Sequence, residues 1–196
     1  MTMKNEKLRL DEVLKAGYDP RKRENITKRG YQYDSMLSNS NQQVYYHPEQ
    51  KKLLFNVSGT HNLPDVGTDI YLALGKLKDT NRYKQAKNKL EEAKRKYNID
   101  NAVITGHSLG GAISQYIGSK DDKIYTFNKG ATLGQKTRKN EIAYRTEYDP
   151  ISLFVSNSKR VKTIPNYESP TGFIPIDLLK AHSTDSLKNQ REKIFI

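Results

Sequence analysis

The chain contains no cysteine and no tryptophan. Without Cys there is no disulfide framework, no thiolate metal site and no thiol nucleophile. The redox compartment stays open, because a Cys-free chain folds in either setting. No stretch approaches the roughly 18 consecutive apolar residues of a membrane-spanning helix. The N-terminal MTMKNEKLRLDEVLK is charged throughout and lacks the apolar core of a secretory signal. A soluble chain is therefore expected. Apolar residues are scarce, at 35% of 196, and Phe is outnumbered by Tyr, 5 to 13, so amphipathic rings are expected to share the packing. Acidic groups are in deficit as well: 22 Asp and Glu against 34 Lys and Arg leave a net charge of +12. That excess fits nucleic acid, an anionic lipid surface or plain solubility. No aromatic RNA-binding pattern, zinc spacing or recognition-helix cue accompanies it, which argues against nucleic acid.

What is present reads as one α/β domain, preceded over residues 1–30 by a basic, polar extension with a short helix at Leu8–Ala16. Tyr31–Leu37, Gln43–His47 and Lys52–Val57 are strand-like runs separated by polar turns, an antiparallel start to a sheet. In Asp79–Tyr97, the residues Tyr83, Ala86, Leu90, Ala93 and Tyr97 recur every three or four positions among charged ones, which predicts an amphipathic helix with Asp79 as its N-cap. Ile99–Thr105, Leu109–Gly118 and Lys123–Phe127 then read as strand, helix and strand with short links, a βαβ unit and so a parallel sheet. Glu141–Thr146 and Arg160–Ile164 are further strands.

The chemistry is concentrated where the first strand of that unit meets its helix. Gly106-His107-Ser108-Leu109-Gly110 fits G-x-S-x-G. A nucleophile between strand and helix sits on a sharp, strained turn. Its neighbours two before and two after must be small, and here both are Gly. Such a turn lifts the Ser108 hydroxyl clear of the sheet. It also leaves the Leu109 amide at a helix N-terminus, where it can face a developing oxyanion. An ordinary Gly-rich turn is the bland alternative, and the apolar strand before the motif and the small residues after it disfavour it.

The segment GHSLGGA resembles the nucleophile elbow of the class 3 lipases, a family of fungal triacylglycerol lipases with related phospholipases and feruloyl esterases. The similarity extends over about residues 53–182. LLFNVSGTHNLPDVGTDI is similar to the family's strand ending in Arg-Gly-Ser/Thr. KIYTFNKGATLG is similar to its TFG-x-P strand, YRTEYDPISLF to the stretch bearing its acid, and AHS to the one bearing its histidine. The resemblance implies a minimal α/β-hydrolase: a mixed, mostly parallel central sheet flanked by helices, needing no cofactor or metal. The implied substrate is a lipid ester. The implied second oxyanion donor is Thr60, with Ser58 standing where the family often has Arg.

A serine hydroxyl needs a base, and the base needs an acid, in the order Ser, Asp or Glu, His. Of four His, His47 and His61 precede Ser108, and His107 lies in the elbow with its side chain turned away from the hydroxyl. His182 alone lies downstream. Asp121 and Asp122 fall in a helix-to-strand link, and Asp177 is too close to His182 to come from another strand. Asp149 fits the family's acid, although Asp149-Pro150-Ile151 departs modestly from the pattern. Glu147 is the rival, since two residues apart on an extended segment it would share the face of Asp149.

The segment between Thr60 and Asp69 is short and poor in apolar residues for a lid, whereas Phe173, Ile174, Ile176, Leu178 and Leu179 could line an acyl groove or simply be core. The positive charge favours peripheral contact with an anionic phospholipid surface over a neutral oil droplet. The competing class is a catalytically silent hydrolase fold serving as a structural or binding component. Retention of Ser108, Asp149, His182 and both Gly argues against it.

Overall fold

A computed structural model describes residues 7–60, 75–131, 135–152, 155–156, 158–166, 180–188, 190 and 192–196. The lid segment after Thr60 and the apolar stretch at 173–179 lie outside the described residues. Among the described residues seven strands form one sheet in sequence order: β1 (Gln32–Tyr33), β2 (Gln42–His47), β3 (Lys52–Val57), β4 (Ala102–His107), β5 (Lys123–Phe127), β6 (Glu141–Thr146) and β7 (Val161–Ile164). The β1–β2 and β2–β3 pairs are antiparallel, and β3 to β7 are parallel throughout. Two short-linked antiparallel strands thus lead into a parallel sheet, as the turn-separated runs and the βαβ pattern require.

Each strand alternates its side chains between two covered faces. On one face Val44, Leu53, Phe55, Ile104 and Ile124 meet α3 (Asn81–Tyr97), through Ala86, Leu90 and Ala93, and α4 (Leu109–Ile117), through Ala112 and Ile113. Helix α3 is capped by Thr80 rather than Asp79, because Thr80 Oγ1 accepts the Tyr83 amide at 3.2 Å while Asp79 belongs to a preceding 3₁₀ turn. Its C-terminus closes on Asn98 in the left-handed region, at φ 52°.

On the other face Tyr45, Leu54, Phe127 and Tyr144 are covered by α1 (Leu10–Ala16), whose Leu10, Val13, Leu14 and Ala16 are buried, together with Ile26 of α2 (Glu24–Thr27) and Leu187 of α5 (Asp185–Lys188). The first thirty residues, read as a basic extension, are from Leu8 onward one of the two layers on the sheet. The short helix expected at Leu8–Ala16 forms at Leu10–Ala16, and its apolar residues are packed on the sheet.

The expected strand Tyr31–Leu37 stops at Tyr33. Asp34 turns the chain: its Oδ1 accepts the amides of Met36 and Leu37, and its Oδ2 binds Lys96 Nζ and Tyr97 Oη of α3 at 2.6 and 2.8 Å. Strand β4 begins at Ala102 rather than Ile99 and continues through Gly106 and His107, so it delivers Ser108 directly to the helix start. At the far end of the sheet, where β5, β6 and β7 begin, Lys123, Lys139, Lys159, Arg160 and Lys162 line a groove.

Candidate active site

Ser108 lies between the last residue of β4 and the first of α4, with φ 57° and ψ −128°, a region that L-residues rarely adopt. Backbone bonds over-determine it. Its amide donates to the Phe127 carbonyl at 3.1 Å, and its carbonyl accepts the amides of Gly111, Ala112 and Gly130 at 3.0–3.2 Å. The flanking glycines are sterically required. A Cβ on Gly106 would strike the Gly110 carbonyl, and one on Gly110 would strike the carbonyls of Val57 and Ser58 at the end of β3. The Leu109 amide opens α4, among the N–H groups that an α-helix leaves without an internal partner.

That close approach of β3 puts the Ser58-Gly59-Thr60 loop beside the elbow. A Cβ on Gly59 would lie 2.9 Å from Ser108 Cβ. Arg82, in the first turn of α3, donates to the carbonyls of both Ser58 and Gly59, the latter at 2.9 Å. Ser58 Oγ donates to the Gly17 carbonyl at 3.1 Å. Thr60 itself is half-buried. The departure from Arg at position 58 is therefore met by a guanidinium from another element. Arg82 was not anticipated, and nothing in its helical context marks it.

On the other side of the elbow His182 Nδ1 and Asp149 Oδ1 are 2.8 Å apart, with the His182 side chain almost fully buried and that of Asp149 completely so. Asp149 also accepts the backbone amides of Ser152, at 3.0 Å, and Ile151, at 3.4 Å. Burial pushes the Asp149 pKa up, but the hydrogen bond and charge of His182, with the Ser152 amide, outweigh it and hold the carboxyl below its usual range. An ionised carboxylate can only accept, so His182 Nδ1 carries a proton and donates it to Asp149, with Nε2 the ring's remaining nitrogen. Both His182 Nε2 and Ser108 Oγ are buried and have no hydrogen-bond partner among the described residues.

The rival Glu147 is exposed. It does not share a face with Asp149, because Tyr148 between them has φ 64° and turns the chain. His107 points away from the Ser108 hydroxyl side, into the α1-covered face, where its ring packs 4.9 Å from that of His182. Asn128, just past β5 at φ 43°, donates through Nδ2 to the carbonyls of Ala181 and His182 at 2.9 and 3.1 Å and accepts the Thr146 amide at 2.8 Å. The Asn in TFNKG, a residue that tolerates the left-handed region, was the available sequence signal for it. The structure thus gathers Ser108, Leu109, the Thr60 loop and, against His107, the bonded pair Asp149–His182.

Residues 36–120 match the family model Lipase (class 3). No curated protein sequence matches the chain significantly. Among solved structures, the Lip2 lipase from Yarrowia lipolytica is 17% identical over 62% of this chain and 61% of its own, with a TM-score of 0.39. The Rhizomucor miehei lipase, solved as a propeptide complex, is 12% identical over 74% of this chain and 61% of its own, with a TM-score of 0.47. MDLA from Penicillium cyclopium is 11% identical over 83% and 77%, with a TM-score of 0.46. The chain spans about three fifths of the length of the first two of these. Across residues 36–120, from the antiparallel start of the sheet through the elbow helix, the chain is similar to the class 3 lipases, and its mixed, mostly parallel sheet covered by helices on both faces is an α/β-hydrolase arrangement.

Proposed function

We propose that this chain is a serine carboxylester hydrolase acting on lipid esters, as a lipase or phospholipase, with Ser108 as nucleophile, His182 as base and Asp149 as the orienting acid. One observation carries the reading. A buried His182, bonded through Nδ1 to a buried Asp149, packs against His107 of the elbow, and neither its Nε2 nor the buried Ser108 hydroxyl has a hydrogen-bond partner among the described residues. Two such groups left without partners are costly in a structural role and useful in a chemical one.

In this mechanism Ser108 Oγ attacks the ester carbonyl as its proton passes to His182 Nε2. The Leu109 and Thr60 amides stabilise the oxyanion. Collapse expels the alcohol, protonated by His182, and leaves an acyl-Ser108 ester. Water, deprotonated by the same histidine, then releases the acid. Asp149 stays ionised and stabilises the imidazolium.

The test is covalent labelling. A fluorophosphonate should add one adduct by intact mass and stop hydrolysis of glyceride and phospholipid panels, and Ser108→Ala should lose both label and turnover. Labelling that persists in Ser108→Ala overturns the assignment, and an unreactive wild type favours the silent-component reading.

Peripheral docking on anionic lipid is part of the proposal, and its geometry is constrained. The groove of Lys123, Lys139, Lys159, Arg160 and Lys162 lies at the start of the parallel strands, whereas Ser108 lies past the end of β4. Docking through that groove would turn the site away from the lipid, so the charge that aids turnover must lie elsewhere. Activity on vesicles should rise with anionic lipid and fall with salt, while a soluble short-chain ester responds little. Equal salt dependence of the two substrates would remove docking from the reading.

A further inference from the structure

The candidate base is held by its backbone as well as by its ring. The His182 carbonyl accepts from Asn128 and also lies 2.8 Å from His107 Nε2. A carbonyl cannot donate, so His107 carries its proton on Nε2. Burial, with repulsion from His182, depresses the His107 pKa to about 3, and the ring is neutral. Its Nδ1 is therefore a bare acceptor, and the Tyr18 hydroxyl 2.7 Å away donates to it. With its proton so committed, Tyr18 Oη accepts the Gly59 amide at 2.6 Å. The direction of every bond is fixed by its neighbours. One chain of donors runs from the Gly59 amide through the Tyr18 phenol and the His107 imidazole to the His182 carbonyl.

We propose that Tyr18 and His107 are positioning residues whose oriented hydrogen-bond relay holds His182 and the Gly59-Thr60 oxyanion loop in register on either side of Ser108. The proposal rests on the reading of His182 as base and Thr60 as oxyanion donor. Those two groups are distant in sequence and meet through no shared strand. The relay joins them across the sheet face that α1 covers, and Tyr18, just past the end of α1, is one of its two inner members. A displacement of the loop is thereby transmitted to the base, and misplacement of either lowers turnover more than binding. Tyr18→Phe keeps the ring, packed edge-on to His107 at 5.7 Å, and removes the bonds to His107 and Gly59 at once. His107→Leu keeps bulk without either polar atom. His107→Gln returns a donor near the position of Nε2.

The experiment uses the full chain with a soluble p-nitrophenyl ester and ¹⁵N-histidine NMR. Tyr18→Phe should lower kcat about tenfold with KM within twofold, and His107→Gln should recover part of the loss seen in His107→Leu. In the wild type the His107 signals should report the neutral Nε2–H tautomer down to pH 5, and Tyr18→Phe should shift the His182 signals. Should His107→Leu fail to fold, Tyr18→Phe and the tautomer decide the matter alone. Unchanged kcat and His182 signals in Tyr18→Phe, or an Nδ1–H tautomer at His107, overturn the relay while leaving esterase activity standing. A wild type that hydrolyses no ester, yet shows the tautomer and the His182 shift, sinks the functional reading and retains the relay.

Discussion

The two halves of the candidate site are held by different kinds of structure. Ser108 is fixed by backbone: strand β4, the first turn of α4, amides from residues 111, 112 and 130, and glycines that admit no Cβ. His182 is fixed by side chains from elsewhere, namely Asp149 past β6, Asn128 past β5 and His107 in the elbow. The place of Ser108 is thus a matter of steric fit, and that of His182 a matter of polar pairing. Changes on the first side should register mainly in stability, and changes on the second mainly in turnover.

The strongest test of that division is Asp149→Asn. It should cost about 10⁴-fold in kcat, because the imidazole is held in the wrong tautomer, while the fold is retained. Glu147→Gln, on an exposed side chain, should stay within twofold. Steady-state kinetics on both variants, beside circular dichroism melts, checks it, and the reverse pattern would move the acid by two residues.

Acid should loosen the base side next. The folded pKa of His107 is about 3, below the ordinary value near 6.5, so the unfolded chain takes up its proton first as pH falls. The native state therefore loses stability on acidification between about pH 6.5 and 3, by up to roughly 5 kcal/mol from this group, at 1.36 kcal/mol per pKa unit. The depressed pKa of Asp149 acts in the same direction lower on the scale, since its contribution is present above its unfolded pKa and fades as pH falls through the folded one. Urea titrations across that range should show a slope for the wild type steeper by up to one proton than for His107→Gln; parallel slopes would show that His107 is not held neutral.

Gly110→Ala breaks the other side. Its Cβ meets backbone carbonyls of β3, which cannot give way as a side-chain tip can. A loss of about 3 kcal/mol in unfolding free energy is expected, read from the urea midpoint. A stable, inactive Gly110→Ala would place the glycine's role in chemistry instead.

The same division explains what could be read in the sequence. The elbow is local, so G-x-S-x-G and strands β3, β5 and β6 were legible to the residue, and α1, β2, α3, α4 and β7 to within two. Strand β1 and the start of β4 were misjudged, because Asp34 captures Lys96 and Tyr97, and Ile99 packs against the core from outside the sheet. Asp149 and His182 were reachable by order and resemblance, but Glu147 could be set aside only with the left-handed Tyr148 in view. Tyr18 and Arg82 act through tertiary hydrogen bonds to main-chain groups, which leave no spacing to detect, whereas Asn128 was marked only by its tolerance of the left-handed region.

The backbone at Ser108 has an evolutionary consequence. Its φ of 57° and ψ of −128° are ones glycine reaches readily and serine adopts at a cost of about 1–3 kcal/mol. A lineage selected for folding alone would drift to glycine there and gain stability in the exchange. Serine at this position is thus a residue the fold would be better off without, and its presence sets a debt that the amides of residues 111, 112 and 130 keep from being repaid by relaxation.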